Sequence, residues 1–261
     1  MTKLDWLLDS DPAIRWQVLR DLVHAPAEVT RNERARVANE GWGARLLSVQ
    51  GDDGQWAGGA CFPANYSNEL DESPGQPWTA TLHTLQVLHD FGVDPNASRV
   101  QQAVTLVRDH CRWEHAGQPF FNGEVEPCIN GRAVSLGIYF HQDVDDIVAR
   151  LLAEQLEDGG WNCEAERGSV RSSFDTTINV LEGLLAYERR NGSSADLIAS
   201  RRRVKSISSN ATCSDERAPA QSSTQAGYNS RFQLTGSMTC CAGLSTSARW
   251  ERSRMRASTK P

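Results

Sequence analysis

Apolar residues recur at helical spacing through most of the first 190 positions of the chain. A first helix is predicted to begin at Asp11, which can cap it, with Pro12 in its first turn and Ile14 and Val18 on one face. A second helix is predicted over residues 31–49. No run of alternating branched residues predicts a strand, so the sequence indicates an all-α protein. Five later groups with three- and four-residue spacing each predict a further helix: Leu82, Leu85, Leu88 and Phe91; Val100, Val104 and Val107; Ile129, Ala133, Leu136 and Phe140; Ile147, Val148, Leu151 and Leu152; Ile178, Leu181, Leu184 and Leu185.

Two segments of the chain are near copies of each other. Leu46–Trp56 reads LLSVQGDDGQW and Leu151–Trp161 reads LLAEQLEDGGW, with the same residue at six of eleven positions. The leucines suit a helix interface, the glutamine can bind free carbonyls at the helix end, and Asp-Gly makes a turn. We expect Trp56 and Trp161 to be buried over equivalent ends of two outer helices. Each copy precedes another helix, so the unit is an outer helix, a turn, a loop and an inner helix. A degenerate copy spans Val100–Gly123, with Phe120 and Phe121 in place of the tryptophan, and such pairs bury their apolar faces on one another.

The pattern LLxxQxxDGxW resembles the QW repeat of squalene–hopene cyclases, whose superfamily also contains the β subunits of protein prenyltransferases. The resemblance covers about residues 40–190 and points to a short bacterial branch. It implies a partial α/α toroid of stacked helix pairs and an isoprenoid lipid, as substrate or ligand, in a central cavity. A fold does not determine a reaction. A non-catalytic helical-repeat scaffold that binds a protein or lipid partner therefore stays open.

The resemblance also bears on the acid of a cyclase reaction. The segment Asp143–Asp146 reads DVDD and matches the family's DxDD, whose middle aspartate, here Asp145, would protonate the substrate. It precedes an outer helix, however, so we expect these aspartates to be exposed partners of the helix dipole. At the family's position, before an inner helix, only Asp175 matches an aspartate, and Phe174 stands where the acid belongs. The catalytic candidates are thus Asp175 and Glu126, with Asp145 disfavoured by position.

The starts of the predicted inner helices carry further polar and aromatic residues, which in a toroid converge on the mouth of the cavity. Buried polar groups need partners, so they form either a satisfied network or a binding site. Zinc, the prenyltransferase metal, would take Asp, Cys and His ligands. Because the spacing of these residue types gives no support, we predict no metal, and no nucleotide motif indicates a cofactor. The substrate-binding candidates are Trp78, His83, Glu124, Cys128, Asn130, Arg132 and Phe174.

Charge and composition narrow the class of protein. The chain has 261 residues and a net charge of −6, which disfavours a nucleic-acid partner. No apolar stretch approaches the roughly 18 residues of a membrane span, and the first residues lack a signal pattern. The seven cysteines form no CxxC and favour a reduced, cytoplasmic protein. The oligomeric state stays open.

The last part of the chain has a different composition. Residues 1–191 hold 16 basic and 29 acidic side chains, whereas residues 192–261 hold 11 and 4. We therefore predict a toroid domain over 1–191 and an irregular Ser/Arg-rich tail over 192–261 without a core. From about Arg203 we expect a shifted reading frame. With permitted codons, a shifted reading frame of the gene can encode GEEYLLERNLFRR in place of VKSISSNATCSDE (204–216). The same frame can encode RLHDVLRG in place of the later LTGSMTCCAG.

Overall fold

The computed structural model describes residues 2–66 and 77–210, with side chains described in these ranges except at 77 and 205–210. Within these ranges the chain forms helices and no strand, which confirms the all-α prediction. Short 3₁₀ turns lie at Pro77–Thr79, Phe120–Asn122 and Ala165–Arg167. The helices are α1 (Lys3–Leu8), α2 (Pro12–Asp21), α3 (Ala27–Arg36), α4 (Gly41–Ser48), α5 (Thr81–Phe91), α6 (Ser98–His110), α7 (Pro127–Tyr139), α8 (Asp145–Ala153), α9 (Phe174–Asn191) and α10 (Ala195–Asn210).

From α4 onwards the helices alternate between two rows. Helices α5, α7 and α9 pack side by side in an inner row, while α4 contacts α6 and α8 contacts α10 in an outer row. The backbones of α7 and α9 approach most closely at two glycines. A Cβ atom on Gly131 would lie 2.4 Å from the carbonyl oxygen of Asn179, and one on Gly183 would lie 2.2 Å from that of Gly131. Only glycine permits this approach, so these two positions fix how the inner row is packed.

The single helix predicted over residues 31–49 is wrong, because the chain turns between α3 and α4. Gly41 has a φ of +64°, in the left-handed region that favours glycine. The Asp11 carboxylate accepts the backbone N–H of Trp42 at 2.8 Å and that of Ala13 at 2.9 Å. One carboxylate thus caps α2 and binds the start of α4, which sequence periodicity does not reveal.

The two tryptophans of the repeat occupy equivalent, buried positions, as predicted. Trp56 is 2 % exposed and Trp161 is 0 % exposed. The indole Nε1–H of Trp56 donates to the carbonyl of Leu46 at 2.8 Å, and that of Trp161 donates to Leu151 at 2.7 Å. Each ring therefore covers the end of its own outer helix. The Leu151 carbonyl is one that the helix end leaves free, whereas the Leu46 carbonyl also accepts the backbone N–H of Val49 at 3.3 Å.

The glutamine of each copy joins its own turn to the next outer helix. Gln50 Nε2 donates to the carbonyls of Gly54 at 3.0 Å and of Ala103 in α6 at 2.9 Å. Gln155 Nε2 donates to the equivalent glycine carbonyl at 2.7 Å and to Ser200 in α10 at 3.0 Å. The predicted bond to free carbonyls at the end of its own helix is therefore wrong, because the glutamine instead ties the turn to the next outer helix.

The degenerate middle copy closes its turn with different residues. Phe120 and Phe121 are buried, as their assignment to the tryptophan's place predicts. The Trp113 indole stacks on Phe120 with ring centroids 4.6 Å apart and donates to its carbonyl at 2.9 Å. The Asn130 side chain pairs with the backbone N–H and C=O of Glu124, both at 2.7 Å. The middle copy thus differs in sequence from the other two copies, but its helices are stacked in the same way.

Helix α10 continues the repeat beyond the predicted boundary at residue 191. Leu197 and Ser200 are buried. A Cβ atom on Gly54 would lie 2.3 Å from the carbonyl oxygen of Leu106 in α6, and one on Gly159 would lie 2.6 Å from that of Arg203 in α10. Successive outer helices therefore dock against the preceding turn in the same way. The rest of the predicted tail, including Cys240 and Cys241, lies outside the described residues.

Candidate functional site

The polar starts of the three inner helices meet at one end of the inner row, as their sequence positions predict. Arg132 Nε in α7 donates to Asn179 Oδ1 in α9 at 3.1 Å. On α5, the pKa of His83 is lowered to about 4 by burial and, secondarily, by the positive charge of Arg132. This end is called the start cluster, and its members are His83, Glu124, Glu126, Cys128, Arg132 and Cys163.

Glu124 is the buried carboxylate of the start cluster. It is 7 % exposed and is the one acidic side chain in the buried class among the described residues. Burial raises its pKa, with Glu126 acting in the same direction. The backbone N–H of Glu126, which donates to its Oε2 at 2.7 Å, opposes this by stabilising the charged form, but the net direction of the pKa is upward. Glu124 is therefore the acid whose protonated form the surroundings favour most, although the sequence indicated Glu126 and Asp175.

A loop from the first repeat covers the same end. Glu114 Oε1 accepts the backbone N–H groups of Cys61 at 2.8 Å and Phe62 at 3.0 Å. Burial raises the pKa of the Cys61 thiol to about 12, with further contributions from Glu114, Glu126 and Glu124. Cys61 is thus a protonated, buried thiol within the field of three carboxylates. The balance of charge at this end is acidic, with Arg132 as the cation among the members of the start cluster.

Two thiols of the start cluster lie in contact. Cys128 Sγ, in the first turn of α7, is 3.0 Å from Cys163 Sγ, in the loop before α9. Cys128 Sγ is also 3.6 Å from Glu126 Oε2, and Cys163 Sγ is 3.4 Å from Thr176 Oγ1. The hydrogen bond between the thiols lowers the pKa of Cys163, and the Thr176 hydroxyl adds to this effect. Cys128 shifts in the opposite direction, because its pKa is raised by the same contact and by burial.

The same residues form a donor set of the kind that binds metal ions. One ligand atom each from Glu126, Cys128 and Cys163 lies within 4.8 Å of the others. Two thiolates and a carboxylate suit Zn²⁺, with a fourth position left for water. The sequence predicts no metal because the spacing of its aspartates, cysteines and histidines gives no support for such a site. The set contains neither Asp175 nor His83, and its two cysteines are 35 residues apart in the chain.

The DVDD segment lies at the opposite end of the helices. Asp143, Asp145 and Asp146 are exposed at the start of the outer helix α8, which confirms the predicted exposure. The Tyr187 hydroxyl donates to Asp145 Oδ1 at 2.8 Å. Tyr187 follows Asp175 by about 18 Å along α9 at 1.5 Å per residue. Asp145 therefore lies far from the start cluster.

Apolar side chains and one acid are exposed around the starts of α5 and α9. Trp78 is 48 % exposed, Phe174 is 59 % exposed and Val170 is 77 % exposed. Asp175 is exposed in the first turn of α9, where its charge suits the helix dipole. Trp78, Phe174 and Asp175 thus flank the start cluster, and their exposure makes them available to a ligand or partner.

A concave feature, which sequence reasoning missed, lies away from the start cluster, between α2, α3 and the last turns of α5 and α7. Its volume is about 740 Å³, and Trp16, Arg20, Arg34, His89 and Tyr139 are among its lining residues. Trp16 Nε1 donates to the Phe91 carbonyl at 2.7 Å. The Arg20 guanidinium lies 4.4 Å from the centroid of the Trp16 ring. These groups cap a helix end and stack on each other, so their arrangement is explained by packing.

Comparison of the chain with protein-family models, with curated proteins and with solved structures finds no match. None of the described helices is long and apolar enough to cross a membrane.

Proposed function

We propose that the helix pairs belong to an α/α toroid and that this cytoplasmic protein binds an isoprenoid lipid at the start cluster. One observation carries the proposal. The polar starts of three inner helices meet at one end, and exposed aromatic residues, Trp78 and Phe174, flank that end. An apolar chain can pack on the aromatic faces while a few polar groups fix its orientation, which is typical of small-molecule sites.

A cyclisation reaction would need an acid that keeps its proton until the alkene is bound. Glu124 meets this requirement best, because burial raises its pKa. Asp145 does not meet it, because it is exposed at the other end and bonded to Tyr187. Aromatic faces nearby would stabilise a carbocation through cation–π contacts. Binding is therefore the first part of the proposal, and protonation by Glu124 is the second.

The experiment is incubation of the purified protein with squalene and, separately, with farnesyl diphosphate, followed by extraction and mass-spectrometric analysis of bound lipid and products. The variants are Glu124→Gln, which can still accept the N–H of Glu126, and Asp145→Asn as the matched control. Retention of either lipid supports binding, and a product that is lost only in Glu124→Gln supports the acid. Retention without a product removes the catalytic part, and no retention of either lipid refutes the proposal.

The second candidate function is a scaffold that binds a protein partner at the same end. The exposure of Val170, in the segment before α9, and of Phe174, at its first residue, favours it, because exposed apolar side chains can mark interaction surfaces. The two functions respond differently to one variant. Phe174→Asp would weaken partner capture, whereas Glu124→Gln, which is buried beneath the surface, would leave it unchanged. A lipid function predicts that both Phe174→Asp and Glu124→Gln change the amount of lipid that is retained or the product that is formed from it.

A further inference from the structure

The cysteines among the described residues fall into two groups. Cys61 and Cys111 are buried, and burial raises the pKa of each thiol to about 12. Cys128 and Cys163 are half-buried, and their sulfur atoms are 3.0 Å apart. A disulfide requires an S–S distance of about 2.05 Å, so the two sulfurs need to approach by about 1 Å. Rotation of two side chains supplies a movement of that size without a change in the helices.

We propose that Cys128 and Cys163 form a reversible disulfide when the protein meets a peroxide, which makes this pair an oxidation site within the start cluster. The bond joins the first turn of α7 to the loop before α9. It also removes both sulfur donors from the set that contains Glu126. The proposal stands on the contact between two thiols and does not depend on the bound lipid.

The chemistry uses hydrogen peroxide as the oxidant. The Cys163 thiolate attacks one peroxide oxygen, the O–O bond breaks, and hydroxide leaves, which gives a sulfenic acid on Cys163. The Cys128 sulfur then attacks the Cys163 sulfur, the S–O bond breaks, and water leaves with the thiol proton. Cys163 is assigned the first attack because it lies in a loop, whereas Cys128 is held in the first turn of α7. A small dithiol such as dithiothreitol restores both thiols by exchange.

The experiment treats the full-length protein with a small excess of hydrogen peroxide, blocks the remaining thiols with iodoacetamide and digests the protein with trypsin. The digestion separates all four described cysteines, because Cys128 falls in peptide 113–132, Cys163 in 151–167, Cys61 in 46–99 and Cys111 in 109–112. The expected result is a joined pair of peptides 113–132 and 151–167. Its mass is about 2 Da below the sum of the two peptides, because two hydrogens are lost, and dithiothreitol removes it.

Two variants make the result specific. Cys128→Ser should abolish the joined pair and leave Cys163 as a sulfenic acid that a dimedone probe traps, whereas Cys61→Ser should leave the joined pair unchanged. Circular dichroism checks that both variants fold. The proposal is overturned if both peptides stay separate and carbamidomethylated after peroxide, or if Cys163 proceeds to the sulfinic acid with Cys128 unreacted. A stoichiometric divalent metal that protects both thiols in the isolated protein would also overturn it.

Discussion

The indole hydrogen bond of Trp161 gives the sharpest test of the repeat. Trp161→Phe keeps an aromatic ring but removes the Nε1–H that donates to the Leu151 carbonyl at 2.7 Å. That carbonyl lies in the last turn of α8, where no later helical N–H reaches it. Leaving it buried without a partner costs about 1–3 kcal/mol, and the smaller ring leaves a cavity that adds to this. We expect the free energy of unfolding to fall by roughly 2–3 kcal/mol, or Tm by roughly 4–12 °C.

The assay is urea unfolding followed by far-ultraviolet circular dichroism, because the substitution itself changes the fluorescence. Trp56→Phe should cost less than Trp161→Phe, because its indole makes the equivalent bond to Leu46 at 2.8 Å but the Leu46 carbonyl keeps the backbone N–H of Val49 at 3.3 Å. Trp6→Phe is the matched control, because Trp6 is 65 % exposed and its replacement should change stability by less than about 0.5 kcal/mol. If both buried substitutions behave like Trp6→Phe, the stabilising role of the indole hydrogen bond is refuted.

Three further predictions concern single residues. Gln155→Ala removes both hydrogen bonds to carbonyls, so amide exchange in α10 should become faster while that in α6 stays unchanged. The pKa of His83 is lowered to about 4 in the folded state, so its protonation favours unfolding. Stability should fall between pH 6.5 and 4 by roughly 1–2 kcal/mol more in the native protein than in His83→Gln, and equal profiles would contradict this. Asp145→Asn should change the unfolding free energy by less than about 0.5 kcal/mol, because Asp145 is exposed; a larger loss in urea titration would contradict this.

The sequence predicts the helices and the repeat well because both depend on local spacing. Residues Leu46–Trp56 and Leu151–Trp161 carry their own turn, cap and tryptophan, so their geometry follows from the segment itself. The partner of each glutamine was not predictable in the same way. Gln155 bonds to Ser200, 45 residues later, and no local pattern identifies that carbonyl.

The candidate site was predictable as a set of residues but not as a network. Polar starts of inner helices indicated the end of the row at which His83, Glu124 and Arg132 meet. Which carboxylate is buried depends on packing around the 3₁₀ turn Phe120–Asn122, so the sequence favoured Glu126 over Glu124. The thiol pair was missed because Cys128 and Cys163 belong to different repeat units, and their contact appears only when α7 and α9 are packed together.

Helix α10 connects the repeat to the expectation of a shifted reading frame. The docking of Arg203 against the turn at Gly159 reproduces that of Leu106 against Gly54, so the residues up to 203 suit the next outer helix. The shifted string GEEYLLERNLFRR, which would begin at position 204, places leucine, tyrosine and phenylalanine among charged residues at helical spacing. An outer helix that continues in this way would bury more apolar surface against its neighbours.

The coding DNA tests this expectation directly. We expect the shifted frame downstream of codon 203 to stay open and to encode further helical repeats that include RLHDVLRG. An early stop codon or the absence of apolar periodicity in that frame would refute it. If the frame is open, the chain with the frame restored should unfold at a higher urea concentration and with a larger m value than the present chain, because added helix pairs bury additional surface. An equal midpoint and an equal m value would show that the shifted segment adds nothing to the fold.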